Sequence, residues 1–108
     1  MLAPHTVEQM EAFPGWELVS QGLADVSDRR ITPFACLVAI ALPRLRRAGL
    51  IDDSDGARCV EEPEKTLYRL LLCESDDAYG RYNAMLRRLI RFEHALDRAA
   101  YRRDIVDS

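Results

Sequence analysis

Residues 75–104 read SDDAYGRYNAMLRRLIRFEHALDRAAYRRD, the longest unbroken helical pattern in the chain. Tyr82, Met85, Leu89, Phe92, Leu96 and Ala99 recur at alternating spacings of three and four. That spacing stacks them on one stripe of a helix. Leu86 widens the stripe, and Arg87, Arg91, Arg98 and Arg102 form a second stripe on the opposite side. Ser75 is placed to cap the helix, and Asp76 and Asp77 fall in its first turn, where carboxylates complement the helix dipole. No glycine or proline interrupts Arg81 to Asp104, and Gly80 near the start costs about 1 kcal/mol relative to alanine. The pattern predicts a helix over 76–103. Its apolar stripe has to be covered, either by other helices or by a second copy of the chain.

The remaining segments are shorter and are set by local stop and start signals. Thr6 with Gln9 three residues on fits a capping box and predicts a short helix over 7–12, ending before Pro14. After the Pro14-Gly15 turn, Trp16, Val19, Leu23 and Val26 keep helical spacing, so a second helix is expected over 16–26, with Gly22 beside the stripe as a mild weakness. Thr32-Pro33 places a capping threonine before a first-turn proline. The following Phe34 to Leu42 is apolar nearly all round and should be the most buried helix. This third helix is expected over 33–48, with a break at Pro43 and Gly49 as its stop. Pro63 opens a fourth helix over 63–74 with Leu67, Leu70, Leu71 and Tyr68 on its apolar face. No stretch alternates with the period of a strand. The expected architecture is all-α: one domain over 1–108, a small bundle of four or five helices with a long C-terminal amphipathic helix.

Composition narrows the functional classes. The 108 residues are 48% hydrophobic and 31% charged, normal for a globular chain, and the formal net charge is −3. That balance argues against general affinity for nucleic acid or anionic membrane. Charge is unevenly distributed: residues 49–77 hold nine acids against three bases, and residues 78–108 hold seven arginines against four acids. The three cysteines, Cys36, Cys59 and Cys73, are widely spaced, with no C-x-x-C pair. The apolar run from Phe34 to Leu42 is too short to span a bilayer. The expectation is a cytoplasmic chain with reduced thiols and no membrane association.

Several constellations carry chemistry only in part. From Ile51 to Glu62, Asp53, Asp55, Gly56 and Glu62 fall at positions three, five, six and twelve of a calcium loop. Position one is Ile51 and supplies no carboxylate, so a solvated acidic loop is expected. His5, His94 and the cysteines are isolated in sequence, which leaves no metal-ligand pair and no cofactor. Glu93 lies on the apolar side of the long helix and needs a partner. Arg44, Arg46, Arg47 or Arg69 would supply a structural ion pair, and Glu93 with Arg46 and Arg69 is the one candidate polar anchor. The stripe Arg87, Arg91, Arg98, Arg102 is a candidate anion-binding face.

These observations support a non-enzymatic protein–protein interaction module of the bacterial adaptor or regulator type. It would act through its C-terminal helix as a homodimer, with a heterologous protein as the substitute partner. The expected interface is Met85, Leu89, Phe92, Leu96, Ala99 and Tyr101, of which Phe92, Leu96, Ala99 and Tyr101 lie on the end of the helix that should project beyond the body. The alternatives are a nucleic-acid-binding regulator using the arginine stripe, and a small-ligand or enzyme domain centred on Glu93.

Overall fold

The computed structural model describes residues 11–49, 51 and 60–107, the last eight of these by backbone alone. Five helices and no strand are present among the described residues: α1 (Trp16–Ser27), α2 (Pro33–Ile40), α3 (Leu42–Arg47), α4 (Pro63–Glu74) and α5 (Ala78–Asp107). The all-α bundle with a long C-terminal helix is therefore the fold. The helix expected over 7–12 lies outside the described residues but for its end, and so does most of the acidic loop after Gly49.

Local chemistry sets most boundaries. Thr32 adopts an extended backbone and its hydroxyl accepts from the Ala35 N–H at 3.1 Å, with Pro33 in the first turn of α2. The α2 ladder stops at Ile40, and the turn that follows at Ala41 comes two residues before the expected break at Pro43. A proline ring excludes the carbonyl four residues behind it, so the chain turns at Ala41 and restarts with Pro43 in the first turn of α3. Gly49, at φ 77°, ends α3 by donating to the Arg46 carbonyl at 3.0 Å. For α5 the expected cap is corrected. Asp77, not Ser75, caps the helix by accepting from the Gly80 N–H at 3.2 Å, while the Ser75 hydroxyl accepts from the Asp77 N–H at 3.1 Å.

Helix α2 is the hub, in contact with all four other helices. Leu37, Val38, Cys36 and Ala35 are fully enclosed, joined by Leu45, Leu67, Leu71, Leu89 and Phe92. Phe34 and Ile40, in the stretch expected to be most buried, and Leu86, on the widened stripe of α5, sit half-buried at the rim of the core. α1 and α2 meet unusually closely at Gly22. A Cβ there would lie 2.4 Å from the Phe34 carbonyl oxygen and 2.6 Å from Val38 Cγ2. The glycine that weakens the helix in isolation is thus what permits the contact.

The corner between these two helices is polar and buried. α1 ends with Arg29 in the left-handed region at φ 58°, and the Arg30 N–H reaches back to the Asp25 carbonyl at 2.8 Å, a Schellman closure without glycine. The Asp25 carboxylate is 2% exposed and accepts from the Thr32 hydroxyl at 2.6 Å, Gln21 Nε2 at 2.9 Å and Arg30 Nη2 at 2.9 Å. The Thr32 hydrogen bond chiefly holds its pKa below the usual carboxylate range, against the opposing effect of burial and with help from Gln21 and Arg30.

Two outcomes are expected in urea unfolding. Gly22→Ala should cost about 1–3 kcal/mol through forced separation of α1 and α2. A stability gain, which helix propensity alone predicts, would show that the helices part freely. The depressed pKa of Asp25 makes its contribution complete above the unfolded value of about 3.9 and lost as pH falls toward the folded value. Asp25→Asn should therefore flatten the loss of stability below about pH 4, and an unchanged acid limb would place the corner's contribution elsewhere.

Candidate interaction surface

α5 leans chiefly on α4 and crosses the start of α1. Its inner stripe is covered along the chain's own length: Met85 is 9% exposed, Leu89 1%, Phe92 0% and Leu96 3%. The expected interface of Met85, Leu89, Phe92 and Leu96 is therefore corrected, because these side chains face the core of their own chain. The Pro14-Gly15 turn explains the coverage. It sets the Phe13 ring edge-on to Phe92 at 6.0 Å and stacks Trp16 on Phe92 at 6.1 Å. Gly15, at φ 83°, brings this turn against the α5 backbone, where a Cβ would lie 2.7 Å from the Arg88 carbonyl oxygen. Ala99 is half-buried; the side chain of Tyr101 lies outside the described ones.

Glu93 is 9% exposed and pairs with Arg44, whose Nη1 stands 3.3 Å from Glu93 Oε2 and whose Nε stands 3.6 Å from Asp97 Oδ2. Of the four arginines proposed as its partner, it is thus the first residue of the Arg44–Arg46–Arg47 run that meets it. Arg46 is half-buried on the same helix. Arg69 is exposed on α4 beside Ile31, Glu61, Glu62, Thr66 and Leu70 and does not join Glu93. His94, next to Glu93 in sequence, is exposed on another side of the helix. Among the described residues no group of three or more histidine, cysteine, aspartate or glutamate side chains is arranged to hold a metal ion. Residues 52–59 of the calcium-like loop lie outside the described residues. Cys36 is buried, which pushes its thiol up to about 11, whereas Cys73 is exposed at the end of α4.

The outer faces of α4 and α5 differ from the inner ones. Among the described residues the large apolar side chains left exposed are Ile31, Leu72, Tyr79 and Ile90. Three of the four belong to the α4–α5 hairpin. Tyr79, Leu86 and Ile90 follow one another at seven and four residues and share an edge of α5. Tyr68 on α4 meets Tyr82 on α5 edge-on at 5.5 Å, and Tyr68, Tyr79 and Tyr82 line an open groove with Glu64 and Lys65. Sequence reasoning missed this surface, although a signal was present: Tyr68 and Tyr82 are equidistant from the Ser75 junction, as partners across a helical hairpin must be.

Charges on α5 divide into two sets. Arg81 pairs with Glu74, Arg88 with Glu17, and Glu93 and Asp97 with Arg44. Arg87, Arg91 and Arg98 are exposed and make no ion pair among the described residues, and Asp76 at the other end of the helix is in the same condition. The Arg102 side chain lies outside the described ones. No helix is long and apolar enough to cross a membrane among the described residues. No protein-family model, curated protein or solved structure matches the chain.

The corrected placement of Phe92 has a direct consequence. Phe92→Ala should cost about 3–5 kcal/mol in urea unfolding. A loss under about 0.5 kcal/mol, typical of a surface site, would return Phe92 to the exterior.

Proposed function

We propose that the chain is a non-enzymatic interaction module that self-associates through the outer face of its α4–α5 hairpin. The observation that carries this reading is the concentration of exposed apolar side chains there: Leu72 at 57%, Tyr79 at 69% and Ile90 at 46%. Scattered surface leucines need no explanation, but a contiguous apolar patch bordered by charges is the usual mark of a protein contact. Tyrosine adds large, rigid contact area with a polar tip, the chemistry favoured at the centre of interfaces. The C-terminal helix remains the acting element, with Tyr79, Leu86 and Ile90 in place of the inner stripe. A homodimer is the commonest closed way to cover such a face.

The exposed arginines support a second reading, contact with a phosphate backbone, because Arg87, Arg91 and Arg98 make no ion pair among the described residues. The formal net charge of −3 weighs against it. A salt-dependent shift of duplex DNA or RNA by the chain would favour it over self-association.

Sedimentation equilibrium at tens of micromolar tests the main reading. The unmutated chain should give twice the 12.3 kDa monomer mass. Ile90→Asp and Tyr79→Asp should each weaken association at least about tenfold, or about 1.4 kcal/mol, while leaving the helical circular dichroism unchanged. A monomer mass for the unmutated chain would overturn the reading.

A further inference from the structure

We infer that the tyrosine-lined groove between α4 and α5 binds the quaternary ammonium head of a small organic cation. The site is complete within one chain, so it goes beyond self-association and does not depend on it. Its walls come from both helices. Glu64 and Tyr68 are four residues apart on α4 and Tyr79 and Tyr82 three apart on α5, spacings that put each pair on one side of its helix. Tyr68 and Tyr82 stand 5.5 Å apart with their planes 73° to one another, so the two rings form a corner rather than a flat wall. Tyr79, 69% exposed, lines the groove as a third ring. The volume is about 550 Å³, within the usual range for small-molecule sites, and leaves room for substituents beyond a head group.

The chemistry of the lining selects the ligand. The face of an aromatic ring is the negative part of its quadrupole and attracts a cation. Glu64 adds a full negative charge: it is exposed in the first turn of α4 and makes no ion pair among the described residues. Lys65, the cation on the lining, has its Nζ 3.5 Å from Glu62 Oε1, so Glu62 offsets that charge and the Glu64 carboxylate remains for a guest. An anion meets both the rings and the carboxylate with the wrong sign. A neutral apolar guest gains ring contact but takes water from Glu64 and returns nothing for it. A primary ammonium or a guanidinium brings several N–H donors to a lining that holds one carboxylate, and donors left unmet are costly. A quaternary ammonium has no donor to satisfy, spreads its charge over methyl groups that lie against ring faces, and is the cation that aromatic cages hold.

Choline titrated at constant ionic strength and followed by nuclear magnetic resonance tests the site. The control is its uncharged carbon analogue, in which a tert-butyl group replaces the trimethylammonium. Ile90→Asp serves as the host chain, because Ile90 does not line the groove and its substitution weakens association, so binding and dimer formation are read separately. Choline should bind with a dissociation constant on the order of 1 mM, and the carbon analogue at least about tenfold more weakly. The choline methyl resonance should move upfield in the ring currents of the tyrosines. Adding Tyr79→Leu, which removes a ring at an exposed position, should weaken choline binding by about fivefold, whereas Tyr79→Phe, which keeps the ring, should stay within about twofold. Glu64→Gln should weaken choline by about threefold and leave the carbon analogue unchanged. No movement of the methyl resonance, equal affinity for choline and its analogue, or a Tyr79→Leu chain that binds as well as its host overturns the assignment, and none of these results bears on self-association.

Discussion

Helix α2 carries no charged or amide side chain, so every one of its faces has to be covered. The other four helices are arranged around that requirement. α1 crosses it at the Gly22 contact, α3 turns off its end at Ala41, and α4 and α5 close the far side. A helix that is apolar all round cannot lie at a surface without exposing a large patch. With α2 enclosed, the amphipathic helices have one orientation each. Their inner stripes are used up against α2 or against one another, and any remaining apolar side chain has to lie on an outer edge.

The signals that were legible in the sequence are those that act within one helical turn. Thr32-Pro33, Pro63 and Gly49 each set a boundary through a cap, a fixed φ or a left-handed residue, and none depends on a distant neighbour. The break before Pro43 was legible in kind and displaced by two residues, because the constraint acts on the carbonyl behind the ring. Ser75 and Asp77 are both competent caps. The choice between them was made by the Ser75 hydroxyl taking the Asp77 N–H, which leaves the Asp77 carboxylate for Gly80. Asp25 was not legible. Its environment exists only once Arg29 takes the left-handed region and returns Thr32 and Arg30 to the end of α1, and an arginine gives no sign of that conformation.

The surface was harder to read for a related reason. Periodicity shows which side chains of α5 share a face, and that part held: Met85, Leu89, Phe92 and Leu96 are one stripe. It does not show which element covers them. Phe13 and Trp16 cover Phe92 from the far end of the sequence, by way of a glycine turn whose role depends on the α5 backbone beside it. Once that face is occupied, the outer edge of Tyr79, Leu86 and Ile90 becomes the relevant one. Glu93 pairs with Arg44, one of the four arginines considered, rather than with the Arg46 and Arg69 of the expected anchor, and spacing along the sequence does not distinguish among them.

Cys36 sits at the middle of the hub helix with no exposed surface and a thiol pushed up to about 11, whereas Cys73 stands in solvent at the end of α4. The chain therefore carries a clock for its own opening. An alkylating reagent reaches the Cys36 sulfur only when the helices around α2 part, so its labelling rate follows the population of opened molecules rather than the chemistry of the thiol. Cys73 reports the reagent's intrinsic speed in the same tube. The pair makes the opening of the bundle measurable under native conditions, without denaturant and without an introduced label site.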